Sequence, residues 1–248
     1  MLQAKQITYA LQGKHLIENV TLDFEPGILY GILGPNGSGK STLLKTLTGI
    51  WKPTSGSIVW KGRDLLSQDR REISKTISLV SHYGPIAFDF TVHEVVSMGR
   101  YPHEPFLSSR TSHAKVEWAL KLVDAWELRD RNVNNLSNGE RQRVYIARAL
   151  VTESEILLLD EPASSLDIRH QLEIWQLLRQ LLASGKVIIV ANHDLVSTAR
   201  FCDRVAVMDH GRCIAHGPFP DVVQEKLLHD VFGVIRTAQQ GTFALPIA

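Results

Sequence analysis

The sequence predicts an α/β domain built around a mostly parallel sheet. Short β-branched or aliphatic runs alternate with longer segments of helical pattern, which is typical of this class. A glycine-rich loop lies between the first strong strand pattern, residues 28–33, and a helical segment that begins at Lys40. Residues from about 91 to 150 contain no strand pattern, and this stretch is predicted to be a helical insert.

The individual elements follow in chain order. Strands are predicted at residues 28–33, 77–80, 155–160 and 187–191, where four to six residues are almost all apolar. Helices are predicted from residue 40 and at residues 113–128, 141–150 and 168–183, the last ending at the capping signal Ser184-Gly185. His210-Gly211 is predicted to form the turn of a hairpin.

Composition and charge exclude several classes of protein. The 248 residues include 27 Lys and Arg against 26 Asp and Glu, a net charge of +1, so no basic field argues for a nucleic-acid partner. Two cysteines are too few for a disulfide scaffold and favour a reducing compartment. The apolar runs are too short to span a bilayer. We therefore expect any action at a membrane to go through a partner.

The glycine-rich loop has the pattern G-x-x-x-x-G-K-[ST] between a strand and a helix. Its residues are Gly34, Pro35, Asn36, Gly37, Ser38, Gly39, Lys40, Ser41 and Thr42. The glycines allow successive N–H groups to point at phosphates, and the helix N-terminus adds partial positive charge. Lys40 is expected to reach the β- and γ-phosphates, and the Ser41 hydroxyl to hold Mg²⁺.

The segment ILLLDEP delivers two carboxylates to the end of a buried strand. Asp160 suits a Mg²⁺ site, and Glu161 suits a general base that polarises an attacking water. A surface Asp-Glu pair before a proline is the alternative.

The segment LSNGERQR, from Leu136, places Ser, Asn and Gly before a helix-forming run. It is predicted to be either a second phosphate-binding helix N-terminus or a capping turn without a further role.

Together these segments resemble the ATP-binding subunit of ABC transporters. GPNGSGKST is similar to Walker A, LSNGE to the family signature, ILLLDEP to Walker B and SSLD to the D-loop, and ANHD puts His193 at the switch-histidine position. The resemblance implies a P-loop NTPase core with a mostly parallel sheet, an N-terminal antiparallel β subdomain and an inserted helical subdomain. Residues 1–248 would form one ABC ATPase domain, with the signature in a helical subdomain at about 91–150.

The resemblance also implies a head-to-tail pair of subunits that hydrolyse ATP with Mg²⁺. The nucleotide would lie between the phosphate loop of one subunit and the signature of the other. The resemblance implies that the signature contacts the nucleotide across the interface through Ser137, Asn138, Gly139 and Glu140. Asp167 would support the interface, and His193 would order the water near Glu161. Tyr9 would stack on adenine; a core tyrosine is the alternative for Tyr9. Asn138 departs from the usual glycine, and its tolerance of positive φ is expected to preserve the turn.

The segment MGRYPH and the tail from Gly211 resemble the importer branch for iron-siderophores, haem and cobalamin; a Gly/Pro-rich turn is the alternative reading of GRYPH. This branch implies membrane permease subunits, an extracytoplasmic substrate-binding protein, no nucleic acid, and a peripheral location on the cytoplasmic face of a bacterial or archaeal membrane. Phe88, Phe90, Tyr101 and Phe106 are predicted to form a groove for a permease helix. A non-transport ABC ATPase switch and an importer for another substrate are the alternatives.

His82 ends the strand at residues 77–80 and occupies the position of the family's glutamine-loop glutamine. Because Mg²⁺ prefers oxygen ligands, we expect His82 to act through water or the γ-phosphate, or to serve coupling to the permease alone.

Overall fold

The computed structural model describes residues 1–81, 88–104, 110–164, 166–236 and 243–244. The strands are β1 Leu2–Leu11, β2 Lys14–Phe24, β3 Leu29–Leu33, β4 Ser55–Trp60, β5 Arg63–Asp64, β6 Ile77–Val80, β7 Ile156–Asp160, β8 Val187–Ala191, β9 Arg204–Asp209, β10 Arg212–Pro218, β11 Ile235–Arg236 and β12 Phe243–Ala244. The α-helices are α1 Lys40–Leu47, α2 Arg70–Thr76, α3 Val92–Ser97, α4 Arg110–Leu122, α5 Asn138–Leu150, α6 Ile168–Leu181, α7 Leu195–Phe201, α8 Phe219–Val222 and α9 Glu225–Leu227. Short 3-10 or π turns connect several of them.

The central sheet has the strand order β10-β9-β3-β8-β7-β6. All of its neighbouring strands are parallel except β10, which pairs antiparallel with β9 across the turn at His210-Gly211. The buried aliphatic runs of β3, β7 and β8 explain this arrangement, because a parallel sheet is covered on both faces. Since β3, β8 and β7 are neighbours, the segments that follow their carboxyl ends meet at one edge. The predicted α/β class is confirmed.

A second sheet is antiparallel, with the order β2-β1-β4-β5. It packs with α1 on one face of the central sheet around a cluster that includes Phe24, Leu44 and Ile58. The strand patterns had begun only at residue 28. They missed β1 and β2 because their register is shifted at several points and because Gln6 and Asn19 have positive φ, which interrupts the alternation of apolar residues.

Residues 91–150 contain α3, α4, α5 and 3-10 turns, and their apolar faces share a core with the other face of the central sheet. The helix predicted at residues 113–128 is shorter: α4 ends at Leu122, Asp124 has φ +52, and a 3-10 turn covers Trp126–Leu128. In contrast, α5 begins three residues before the predicted start, because Ser137 caps it.

The MGRYPH segment joins α3 to the end of α5 through its two buried residues, Gly99 and Arg100. The Arg100 side chain, 5% exposed, donates hydrogen bonds to the Val151 carbonyl (2.7 Å), the Glu153 carboxylate (2.8 Å) and the Ser112 hydroxyl (3.3 Å). A Cβ on Gly99 would lie 2.1 Å from the Arg148 carbonyl oxygen. This segment therefore fixes the packing of the helical region.

Among the described residues, none of the helices combines the length and the apolar character needed to cross a membrane.

Candidate active site

The loop between β3 and α1 adopts backbone angles that require its glycines. Gly34 has φ +151, and a Cβ on it would lie 2.2 Å from the Met208 carbonyl oxygen. Gly39 has φ +103 and is the N-cap of α1, where a Cβ would lie 2.9 Å from the Leu16 carbonyl oxygen. The β9–β10 turn supports the loop from outside, because the Gly211 N–H donates to the Ser38 carbonyl at 3.0 Å. The free N–H groups of this helix start suit an anion.

Lys40 is folded back onto its own loop. Its ammonium, on a side chain only 5% exposed, donates to the carbonyls of Gly34 at 2.7 Å and Pro35 at 3.0 Å. Burial lowers the pKa of Lys40 below its ordinary value, and the carboxylates of Glu161 and Asp160 oppose that shift. A buried ammonium held only by two carbonyls is placed to exchange them for phosphate oxygens.

Ser41 and Asp160 meet across the edge of the sheet. The Ser41 hydroxyl donates to the Asp160 carboxylate at 3.0 Å. Burial raises the pKa of Asp160; the Ser41 hydrogen bond lowers it, and the neighbouring Glu161 raises it. A hydroxyl and a half-buried carboxylate are hard oxygen donors, so these two residues fit Mg²⁺.

Glu161 and His193 form the second half of the same edge. The His193 Nδ1 lies 3.3 Å from the Glu161 Oε1. Glu161 has φ +49, an unfavourable angle for a non-glycine residue, and its N–H donates to the Ala191 carbonyl at 2.9 Å. The backbone of His193 is fixed by the buried Asn192, whose side-chain oxygen accepts its N–H at 2.9 Å. Strain of this kind concentrates at functional sites.

A cavity of about 440 Å³ opens above the loop. Glu161 and Leu16 line this cavity together with six residues of the predicted phosphate loop. These six are Asn36, Gly37, Gly39, Lys40, Ser41 and Thr42. Gly34, Pro35 and Ser38 lie in the same loop but do not line the cavity. The motif patterns missed Leu16, since its place over the loop depends on the fold of the β1–β2 hairpin.

Ser137 and Glu140 form a reciprocal cap at the start of α5. The Glu140 carboxylate accepts the Ser137 N–H and hydroxyl, both at 2.8 Å, and the Ser137 oxygen accepts the Glu140 N–H at 3.3 Å. These hydrogen bonds hold the pKa of Glu140 below its usual range. Asn138 is the first helical residue and does not have positive φ, so the expected reason for its tolerance is wrong.

The signature residues do not line the cavity above the loop of their own chain. Asp167 caps α6 and, like the signature residues, does not line this cavity. His82, Phe106 and Ser165 lie outside the described residues.

Tyr9 does not lie over the phosphate loop. Its ring stacks on Trp51, with centroids 5.3 Å apart and planes at 12°. The Trp51 N–H bonds to the Lys45 carbonyl near the C-terminal end of α1, whereas the loop lies at the N-terminal end. Tyr9 is also absent from the cavity lining. Tyr9 thus packs on Trp51, and its stacking on adenine stays a prediction.

The phosphate loop, the Asp160–Glu161 pair at the neighbouring strand end and the parallel sheet define the class of P-loop nucleoside triphosphatases. The family model described as ABC transporter matches residues 17–164. Hemin import ATP-binding protein HmuV of Rhodopseudomonas palustris (strain HaA2) is 40% identical over 253 residues, which cover 99% of this chain and 95% of the relative. The chain belongs to the ABC transporter family and is an ABC ATPase.

Solved structures of the same family superpose closely. An ABC transporter described as metal-chelate type, in an inward-facing conformation, matches with a TM-score of 0.83 at 25% identity, over 98% of this chain and 94% of that chain. A dimeric ATP-binding cassette in a post-hydrolysis state, bound to ADP and Pi, matches with a TM-score of 0.78 at 28% identity, over 88% and 99% of the two chains.

Proposed function

We propose that this chain is the ATP-hydrolysing subunit of an importer for haem or a related metal chelate, and that it works as a head-to-tail pair bound to membrane permease subunits. The observation that carries the ATPase part is the Glu161–His193 pair beside a cavity lined by Lys40 and Ser41. The substrate class rests on the hemin importer relative and on the metal-chelate type transporter.

The residues of one subunit would bind and orient the nucleotide. The loop N–H groups and the Lys40 ammonium would hold the β- and γ-phosphates, with the ammonium leaving the carbonyls of Gly34 and Pro35. Ser41 and Asp160 would hold Mg²⁺, which neutralises developing charge on the phosphates when bound.

Proton transfer would involve the second half of the site. Glu161 would accept a proton from the attacking water at a carboxylate oxygen, and His193 would fix the orientation of that carboxylate. The rate would come mainly from positioning and from charge stabilisation around the transferred phosphoryl group.

The site of a single subunit is incomplete. Ser137 and Gly139 do not line the cavity of their own chain, and a second copy could supply them to the γ-phosphate. The similarity to a dimeric cassette supports this pairing. We therefore propose that ATP closes the pair and that hydrolysis reopens it. Such a closing motion would drive the permease from the cytoplasmic face of the membrane, with an extracytoplasmic binding protein delivering the substrate.

A groove of about 430 Å³ suits the permease contact. It lies between the core and the helical region, lined by Ile50, Leu79, Ser81, Met98 and Pro102 among others. Ile50 and Met98 are exposed apolar side chains. Phe88, Phe90 and Tyr101 do not line this groove, and their contact with a permease helix stays a prediction.

The permease contact is tested with Met98→Glu. The variant is expected to retain ATP binding but to separate from its co-expressed permease during affinity purification in detergent. Trp118→Glu is the matched control, because Trp118 is also an exposed apolar side chain but lies on α4 outside the groove. Equal retention of the permease by both variants would contradict the groove assignment. Uptake of hemin by vesicles that contain the whole complex would then test the substrate class.

A further inference from the structure

The first turn of α5 is closed by a reciprocal side-chain cap, and the first turn of α6 is closed by the Asp167 side chain. In α5 the pair is Ser137 and Glu140. In α6 the pair is Asp167 and His170: the Asp167 carboxylate accepts the His170 N–H at 3.0 Å, and its second oxygen lies 2.8 Å from the His170 Nδ1. The His170 ring thus holds the carboxylate of the residue that caps its own helix.

The His170 ring also reaches the neighbouring helix. A Cβ built on Gly139 would lie 3.3 Å from both the Cγ and the Cδ2 of His170. The ring therefore packs against the bare Cα of Gly139, and position 139 has no room for a larger residue without movement of the ring. One side chain connects the signature segment with the D-loop aspartate.

The residue after His170 holds the D-loop backbone as well. The Gln171 amide donates to the carbonyls of Ala163 at 3.2 Å and Leu166 at 3.0 Å. The first turn of α6 therefore fixes the D-loop at its side chain and at its backbone. The three atoms nearest to a Cβ built on Gly139 all belong to His170.

We propose that His170 is a positioning residue that fixes the distance between Gly139 and Asp167 in each subunit. This inference rests on the proposed pairing of two copies, in which the signature faces the nucleotide of the partner and the D-loop lies at the interface. In that arrangement, loss of the ring lets the two segments shift relative to each other. ATP binding to the phosphate loop stays intact, whereas closure of the pair becomes weaker.

The experiment uses purified full-length protein in a Glu161→Gln background, in which hydrolysis does not consume the ATP. The ATP concentration for half-maximal dimer formation is measured by light scattering. His170→Ala is expected to raise it about tenfold, the change that corresponds to about 1.4 kcal/mol. His170→Asn, which can still donate to Asp167, and His170→Phe, which still packs on Gly139, are each expected to restore part of the loss.

Two readouts separate positioning from folding. Binding of a fluorescent ATP analogue to the monomer and the thermal midpoint are expected to match the parent in all three variants. Gln176→Ala is the matched control, an exposed residue of α6 six positions beyond His170, and it is expected to dimerise like the parent.

The proposal is overturned if His170→Ala dimerises like the parent. It is also overturned if its loss of dimerisation merely follows a lower thermal midpoint or weaker monomer binding, or if neither the asparagine nor the phenylalanine restores any of it. A parent that does not dimerise with ATP would instead refute the proposed pairing, so the two failures are distinguishable.

Discussion

Replacing Lys40 by methionine is expected to weaken ATP binding without lowering the stability of the nucleotide-free protein. Each hydrogen bond made by a charged group contributes about 1.5–3 kcal/mol, so loss of the ammonium is expected to raise the Kd for ATP by about 10- to 100-fold. At ATP about 100 times the wild-type Kd, binding stabilises the wild type by about 2.7 kcal/mol, or about 5–10 °C for a chain of this size. The variant then retains only about 1–5 °C of that shift.

Without nucleotide, the same variant is expected to be as stable as the wild type or more so. Burial lowers the pKa of Lys40, which means that the folded state pays a cost to keep this ammonium charged. The measurement is thermal unfolding by fluorescence with and without ATP, and Lys52→Met, an exposed lysine beyond α1, is the control. A full ATP shift in Lys40→Met, or a large drop of its midpoint without nucleotide, would refute the reasoning.

Three further predictions concern the helical region. Gly99→Ala is expected to lower the free energy of unfolding by about 2–4 kcal/mol in urea titrations, because its Cβ meets a carbonyl oxygen of α5 at 2.1 Å; an unchanged midpoint would contradict the packing. Arg100→Ala is expected to cost about 2–4 kcal/mol near neutral pH. Burial alone would raise the pKa of Glu153, but hydrogen bonds from Lys115 and Arg100 leave it lowered. The stabilisation that comes from ionised Glu153 is present above pH 4.5 and is lost as the pH falls below that value. The loss of unfolding free energy in Arg100→Ala is therefore expected to become smaller in acid. A loss that does not change with pH would contradict the Arg100–Glu153 pairing. Glu140→Ala is expected to cost about 0.5–2 kcal/mol through loss of the Ser137 cap, and Glu140→Gln much less; equal losses would argue against the cap.

The buried parallel strands were predictable because their residues are apolar on both faces. The runs at residues 77–80 and 187–191 match β6 and β8 at both ends. The stop signal at Ser184-Gly185 was also predictable: α6 ends at Leu181, two residues before the predicted end, and a 3-10 turn at Leu182–Ser184 leads to Gly185, whose φ of +72 is the left-handed conformation that a C-terminal glycine provides.

The N-terminal sheet was missed although part of it alternates: Val20, Leu22 and Phe24 in β2 are buried and are separated by exposed residues. Bulges and the positive φ of Gln6 and Asn19 interrupt the alternation in the rest of β1 and β2. The resemblance to the ABC family supplied this sheet, whereas the residues alone did not.

The candidate site also contains residues that the sequence predicts and residues that it does not. The phosphate loop and the Asp160–Glu161 pair are local in sequence, so their position at the sheet edge follows from the strands that carry them. Leu16 and the contact of His170 with Gly139 depend on elements that are distant in sequence, and no local pattern marks them. The stacking of Tyr9 on Trp51 likewise depends on residues that are distant in sequence.

The central claim is that two copies close on ATP and that Glu161 is the base that reopens them. Light scattering of purified Glu161→Gln tests it most directly, with ATP or ADP in the presence of Mg²⁺, alongside a phosphate-release assay. The account predicts twice the 27.8 kDa chain mass with ATP, the single-chain mass with ADP, and loss of turnover. A single-chain mass with ATP bound, or turnover equal to that of the wild type, would contradict it.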